Sequence, residues 1–267
     1  MIEDYIDKTF FGDCLEIMPQ LPDGCFDMIC ADLPYEITSC SWDSLIPFDK
    51  LWPQYLRLIK PNGAIVLTSS QPFTSALIMS NPTMFRYEYI WVKTKASGFQ
   101  NAKRLPMKKH ESVLVFYSKQ PTYNQQNLRK LDKPIKSGRE RKTNEHKLGV
   151  AGKPDYHTEF TGYQDSLLCF PNPSGKGHLH PTQKPVPLME YLINIYTNRG
   201  GVVLDNCAGS GTTGVACKNT GRHYVMIEKE RVHYDNILKR LAIDSEPCES
   251  SELKPAIATQ EQMNLFK

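Results

Sequence analysis

The segment that most restricts the fold is Gly209-Ser210-Gly211-Thr212-Thr213-Gly214, a G-x-G-x-x-G run between a short apolar stretch at 202–205 and a helical pattern at 211–219. Apolar runs of about four to eight residues read as buried strands, and longer amphipathic stretches read as helices. Glycines at a strand-to-helix junction let the backbone turn sharply and approach a ligand closely. The next strand, at 224–228, ends in Glu228, nineteen positions after Gly209. A carboxylate there can accept both ribose hydroxyl protons, so the unit predicts a nucleoside cofactor. A tight turn with no ligand is the plainer reading of the glycines taken alone.

The same alternation runs through most of the chain. Strands are expected at 26–31, 64–68, 87–92 and 112–117, and helices at 49–60, 72–79, 187–197 and 231–242, with a turn at Pro61-Asn62-Gly63. This is α/β patterning with a mostly parallel sheet. From 119 to 177 it gives way to polar, Lys, Arg, Gly and Pro residues with scattered aromatics (Tyr123, Tyr156, Phe160, Tyr163, Phe170), which marks an insert rather than core. Residues from 244 onward have a disorder-like composition.

Composition narrows the function classes. With 267 residues and 40% hydrophobic content the chain can bury a substantial core, which excludes collagen, coiled coil and wholesale disorder. A balance of 32 basic and 29 acidic side chains gives a net charge of only +3. That total conceals the distribution. Residues 119–153 hold ten Lys or Arg and three Asp or Glu, a local +7, whereas 244–267 hold two basic and five acidic residues, a local −3. The eight cysteines include no C-x-x-C pair, so neither disulfides nor structural zinc are expected, and the His178/His180 pair lacks the neighbours of a metal site. No apolar run approaches bilayer length and the first residues are acidic, which favours a soluble, cytoplasmic protein.

Two carboxylates carry the chemistry. Asp205, at the tip of the strand before the glycine run, would repel a pyrophosphate and so disfavours a nicotinamide dinucleotide. It suits a cofactor bearing a sulfonium and an ammonium, such as S-adenosylmethionine. Asp32-Leu33-Pro34-Tyr35 ends another strand, on the edge where open α/β sheets place ligands. An aromatic amine is a poor nucleophile because its lone pair is delocalised into the ring. A carboxylate and a backbone carbonyl that accept its two hydrogens leave that lone pair aimed at an electrophilic methyl. Asp32 and the carbonyl near Leu33 or Pro34 can supply those acceptors, and Tyr35 a stacking face.

In order along the chain, Asp32-Leu33-Pro34-Tyr35, the H-P-T-Q-K-P run at 180–185, V-L-D-N-C-A-G-S-G-T-T-G at 203–214 and I-E-K-E at 227–230 resemble the DNA amino-methyltransferases of the β order. In that family the catalytic motif precedes the cofactor motif and the recognition segment lies between them. The resemblance spans about residues 8–242 outside the insert. It implies a Rossmann-like S-adenosylmethionine-dependent methyltransferase fold, with a mostly parallel twisted sheet, helices on both faces and an inserted target-recognition segment. On that plan 1–118 form the catalytic half, 119–177 the basic recognition region, 178–243 the cofactor-binding half and 244–267 a flexible tail.

The resemblance also assigns residues. Asp32, Pro34 and Tyr35 take the catalytic positions; Asp205, Gly209, Ser210, Gly211, Thr212 and Glu228 hold the cofactor. F-G-D-C-L-E at 11–16 resembles the opening motif, whose Asp, here Asp13, lies by the cofactor adenine, and Thr182, Gln183 and Lys184 fall at the cofactor's methionine end. No metal is required. Leu33 stands where the family more often has proline, which should leave activity intact, and Asn206-Cys207 replaces the frequent Pro-Phe, which is expected to loosen cofactor packing. Asp at the head of the tetrapeptide resembles the N6-adenine members more than the N4-cytosine ones.

Double-stranded DNA is therefore the expected partner, with Lys103, Arg104, Lys108, Lys109, Arg139, Arg141 and Lys142 as phosphate contacts and Trp42-Asp43 placed to close over a flipped base. Gln262-Met263-Asn264-Leu265-Phe266 resembles the peptide by which bacterial replication proteins dock on the sliding clamp; a tail folded on its own surface is the alternative. Many relatives form homodimers, so self-association is possible on this resemblance. The reading is an enzyme methylating adenine N6, with N4-cytosine methylation and a binding protein that has lost transfer as alternatives.

Overall fold

The computed structural model describes residues 1–35, 44–137, 156–172 and 183–243. Trp42, Asp43, Arg139, Arg141, Lys142, His178, His180, Thr182 and the pentapeptide at 262–266 lie outside the described residues. The elements run β1 (Lys8–Phe11), α1 (Cys14–Ile17), β2 (Phe26–Asp32), α2 (Phe48–Leu58), β3 (Ile59–Ser69), α3 (Phe73–Ser80), β4 (Phe85–Ser97), β5 (Lys108–Phe116), β6 (Arg129–Ser137), β7 (Tyr156–Thr161), β8 (Leu167–Phe170), α4 (Val186–Tyr196), β9 (Val202–Asp205), α5 (Thr212–Thr220), β10 (His223–Glu228) and α6 (Arg231–Ile243), with three single-turn 3-10 segments between them.

One compact unit comprises 1–124 and the chain from 166 onward. Its sheet has eight strands in the order β1-β10-β9-β2-β3-β5-β4-β8. Only β5 runs against the others. Side chains alternate between faces along each central strand, so apolar runs such as 64–67 fill both sides. Met28, Cys30, Ala64, Val66, Val113 and Val115 pack with α4, α5 and α6 through Leu188, Leu192, Ala216 and Ile237. Phe26, Ile29, Ile65, Leu67, Leu114 and Phe116 pack with α2 and α3 through Leu51, Tyr55, Leu58 and Leu77. Helices therefore cover both faces, as the sequence pattern predicts.

The second unit, Gln125–Asp165, holds the antiparallel pair β6 and β7. Arg129, Lys130 and Lys133 on it are exposed. It is shorter than the insert expected at 119–177. Asn124 belongs to the first unit, its amide donating to the carbonyls of Asn194 and Thr197. At the other end 167–170 form β8, because Leu168 is buried among core side chains and the Trp91 indole N–H donates to the Phe170 carbonyl at 2.9 Å.

Three further differences have local causes. β1 is only four residues long and half exposed, too weak a pattern to register as a strand. β3 continues through Pro61-Asn62-Gly63, where a turn was expected, because a register shift between Phe26 and Met28 absorbs the irregularity. β4 and β5 extend well past their apolar cores as a two-stranded ribbon. Among the described residues no helix is long and apolar enough to cross a membrane, and no three His, Cys, Asp or Glu side chains gather as a metal site.

Candidate active site

Three neighbouring parallel strands, β10, β9 and β2, end in Glu228, Asp205 and Asp32. All three carboxylates line one cavity of about 470 Å³, together with Gly12, Asp13, Pro34, Tyr35, Gln183, Lys184 and 205–210. The side chains that sequence reading scattered over 200 positions are thus brought to one edge of the sheet.

In the turn after β9, Gly209 and Gly211 both adopt positive φ, 52° and 72°, which side-chain-bearing residues rarely adopt. Gly211 caps α5, and a Cβ there would also sit 3.1 Å from Ile237. The turn is held from outside: Arg240 Nη1 donates to the Ser210 carbonyl at 2.8 Å and to Thr212 Oγ1 at 3.2 Å. Glu228 accepts from the Gly209 and Glu230 amides at 2.7 and 2.8 Å, and burial still pushes its carboxyl above the usual range. Asp205 accepts from Thr213 Oγ1 at 2.6 Å and the Cys207 amide at 3.1 Å. Burial first, and then the charges of Asp32 and Glu228, raise it to about 7. Asp13 caps α1, accepting from the Leu15 amide at 2.8 Å.

At the end of β2, Asp32 receives three donors. Tyr35 OH and Thr68 Oγ1 (2.5 Å) reach Oδ1, and Lys184 Nζ reaches Oδ2 at 2.5 Å. Burial and the Asp32 charge keep the Tyr35 phenol well above its ordinary pKa, so it stays a donor. One face of its ring stacks on Phe73, with centroids 5.1 Å apart and planes at 27°. Lys184 is buried and also lies 3.5 Å from Glu111 Oε2, and Glu111 pairs with Lys93 at 2.5 Å. Burial alone would lower the Lys184 pKa, but Asp32 and Glu111 raise it. Burial alone would raise Glu111, but Lys184, Lys93 and Lys108 hold it below the usual carboxylate range.

These positions refine the assignments. Lys184 meets Asp32 and Glu111, while its carbonyl receives the Thr212 hydroxyl at 3.4 Å, tying this segment to the glycine turn. Lys103, Arg104 and Lys109 are exposed, whereas Lys108 turns inward, its ammonium donating to Ser70 Oγ on the cavity wall. Asn206 is 2% exposed and accepts from the Tyr55 hydroxyl at 2.6 Å, which fastens α2 to the end of β9. Sequence reading missed Thr68, Phe73 and Glu111. Glu111 had a signal, being the first acid after the acid-free basic stretch 93–110 and opening an apolar strand. Thr68 had none, since only its register opposite Asp32 brings it there.

The sheet order and the strand-end carboxylates define a methyltransferase built around S-adenosylmethionine, and comparison with known proteins fixes its family. Residues 26–239 match the N6/N4 DNA methylase family model, and the chain belongs to that family of DNA methyltransferases. It is 26% identical over 254 residues to the type II methyltransferase M1.MboII of Moraxella bovis, covering 82% of this chain and 90% of that protein. M.HpaI of Haemophilus parainfluenzae is 25% identical, over 90% of this chain and 74% of its own length. Among solved structures, the M1.HpyAVI–SAM complex superposes with a TM-score of 0.60 at 27% identity, over 88% of this chain and 98% of that one. The cytosine-N4-specific PvuII methyltransferase shares the fold, with a TM-score of 0.64 at 16% identity over 91% and 88%.

Tyr55→Phe removes the donor to Asn206 and leaves a buried acceptor unpaired, which should cost about 1–3 kcal/mol. Urea unfolding monitored by tryptophan fluorescence checks this, with unchanged stability as the contrary result.

Proposed function

We propose that this DNA methyltransferase acts on N6 of an adenine rotated out of the duplex. The observation that carries the reading is the donor set around Asp32. A carboxylate offers about four acceptor positions, and Lys184, Tyr35 and Thr68 take three of them. The remaining position suits one amino hydrogen, and the backbone carbonyl of Leu33 or Pro34 suits the other. Held this way the nitrogen is turned toward tetrahedral geometry, and its lone pair points away from both acceptors. Tyr35, stacked on Phe73 and with the Lys184 ammonium 5.8 Å from its ring centroid, supplies an aromatic wall of the cavity for the base.

S-adenosylmethionine supplies an electrophilic methyl and a neutral leaving group. The residues present fit it: Asp205 is buried near two other carboxylates in a way that favours a cationic neighbour, Glu228 suits ribose hydroxyls, and Asp13, which the family resemblance puts beside the adenine, lines the same cavity. The adenine assignment rests on Asp32 at the head of the tetrapeptide. The basic second unit and the exposed Lys103, Arg104 and Lys109 suit phosphate contacts, with recognition carried by the insert.

Modification-sensitive sequencing of DNA from a host expressing the chain should show N6-methyladenine in one sequence context. N4-methylcytosine there would overturn the adenine reading. Asp32→Asn, which keeps the volume but removes the charge and one acceptor oxygen, should lower turnover by roughly 10²–10⁴-fold with cofactor binding retained; near-normal turnover would sink the mechanism.

Cofactor binding should also depend on pH. Asp205 titrates at about 7 in the free protein, and a bound cation lowers that value. Affinity therefore weakens as pH falls below about 7, by up to roughly tenfold per unit, and levels off above it. In the free protein the raised value means stability is lost as pH rises through 7, so the thermal shift given by cofactor should grow with pH. Calorimetry between about pH 5 and 8 tests this, with Asp205→Asn expected to bind weakly and with a flattened profile.

A further inference from the structure

The β4–β5 ribbon leaves the sheet at the rim of the cavity. Lys93, Ser97, Lys108 and Glu111 of the ribbon line that cavity, and Ser97 pairs with Lys108 where the two strands last meet. Beyond them every residue from 98 to 107 is exposed. Phe99 is 80% exposed and Leu105 62% exposed, an apolar content that a free loop gains nothing by displaying.

The tip is nevertheless built. Gly98 takes the left-handed conformation, φ 90°, and starts a 3-10 turn, Phe99–Asn101. Four backbone bonds close it: the Asn101 amide to Gly98, Ala102 to Phe99, and Arg104 and Leu105 to Asn101, at 2.8–3.0 Å. On and beside this aromatic tip Lys95, Lys103, Arg104 and Lys109 are exposed, and the sequence has no acidic residue from 93 to 110. Such a combination fits a polyanion that also offers flat apolar surfaces.

We infer that Phe99 is a wedge that enters the base stack of duplex DNA beside the target nucleotide, while Lys103 and Arg104 hold the flanking phosphates. This rests on the reading of the cavity as the pocket of a flipped base. Rotating a base outward breaks its pairing and two stacking contacts, and a planar apolar side chain placed in the gap recovers part of that loss. Phe99 is exposed two residues beyond Ser97, which lines the cavity that would receive the base. Leu105 adds apolar surface on the same tip.

The test uses the full chain and two duplexes built on the methylated site found by sequencing. In one the target base is normally paired; in the other the opposing position is abasic, so that opening costs little. Phe99→Ala should lower kcat/KM on the paired duplex by about tenfold or more, the scale of one base–aromatic stack. On the abasic duplex it should remain within about twofold of the unaltered chain. Phe99→Trp should retain activity on both, and 2-aminopurine at the target position should brighten less with Phe99→Ala than with the unaltered chain. Equal loss on both duplexes, no loss on the paired one, or a change only in self-association would overturn the wedge while leaving the methyltransferase reading intact. An unaltered chain that methylates neither duplex would overturn the flipped-base reading, and the wedge with it.

Discussion

The site depends on the parallel register of β10, β9 and β2. Met226 lies opposite Asp205, Leu204 opposite Ile29, and Asp32 opposite Thr68. Neighbouring strands are about 4.8 Å apart, so Asp205, in register two residues before the ends of β10 and β2, lies between Glu228 and Asp32 at one edge of the sheet. Burial, with a smaller contribution from the neighbouring charges of Asp32 and Glu228, raises the Asp205 carboxyl. Each carboxylate is held in place by donors from its own surroundings: the turn amides for Glu228, Thr213 and the Cys207 amide for Asp205, and Tyr35, Thr68 and Lys184 for Asp32. The edge is therefore prepared for positive charge before any ligand arrives.

That charge is divided unevenly across the cavity. Toward β10 and β9 lie Glu228 and Asp205, which suit a cationic cofactor; toward β4 and β5 lie Lys93, Lys108 and Lys184 around Glu111. Lys184 joins the two sides, with its ammonium on Asp32 and its carbonyl on Thr212 of the glycine turn. Removing one member of such a buried ionic set leaves its partner uncompensated, which typically costs about 3–5 kcal/mol. The network is better understood as fixing where Asp32 points than as a source of net stability, because the desolvation of its members offsets most of their attraction.

Much of this was legible from local pattern. The βαβα unit around the glycine run, the strand ending at Asp32 and the three strand-end carboxylates follow from periodicity and turn chemistry, which act over a few residues. Thr68 and Phe73 were invisible because their roles arise from strand register and helix packing, which no local pattern encodes. Lys184 was visible as part of a motif, but its pairing with Asp32, 152 residues away, is a product of the fold. Lys108 shows the opposite error: a lysine in a basic stretch reads as a solvated cation, yet its place at the start of β5 aims it at Ser70. The edge strand β8 escaped notice because four half-exposed residues in a polar insert carry too little hydrophobic signal.

The single antiparallel strand explains why the basic ribbon stands where it does. β4 runs in the same direction as β3, so its end lies at the edge where Asp32, Asp205 and Glu228 gather. A parallel strand after β4 would need a crossover back to the far edge, carrying the chain away from the site. Because β5 instead returns beside β4, the connection is a hairpin and its tip must project from the functional edge. The placement of cations, and not the net charge of +3, is what topology converts into a surface for a polyanion. Had β5 been parallel, the same lysines in the same sequence would lie away from the carboxylate they now surround.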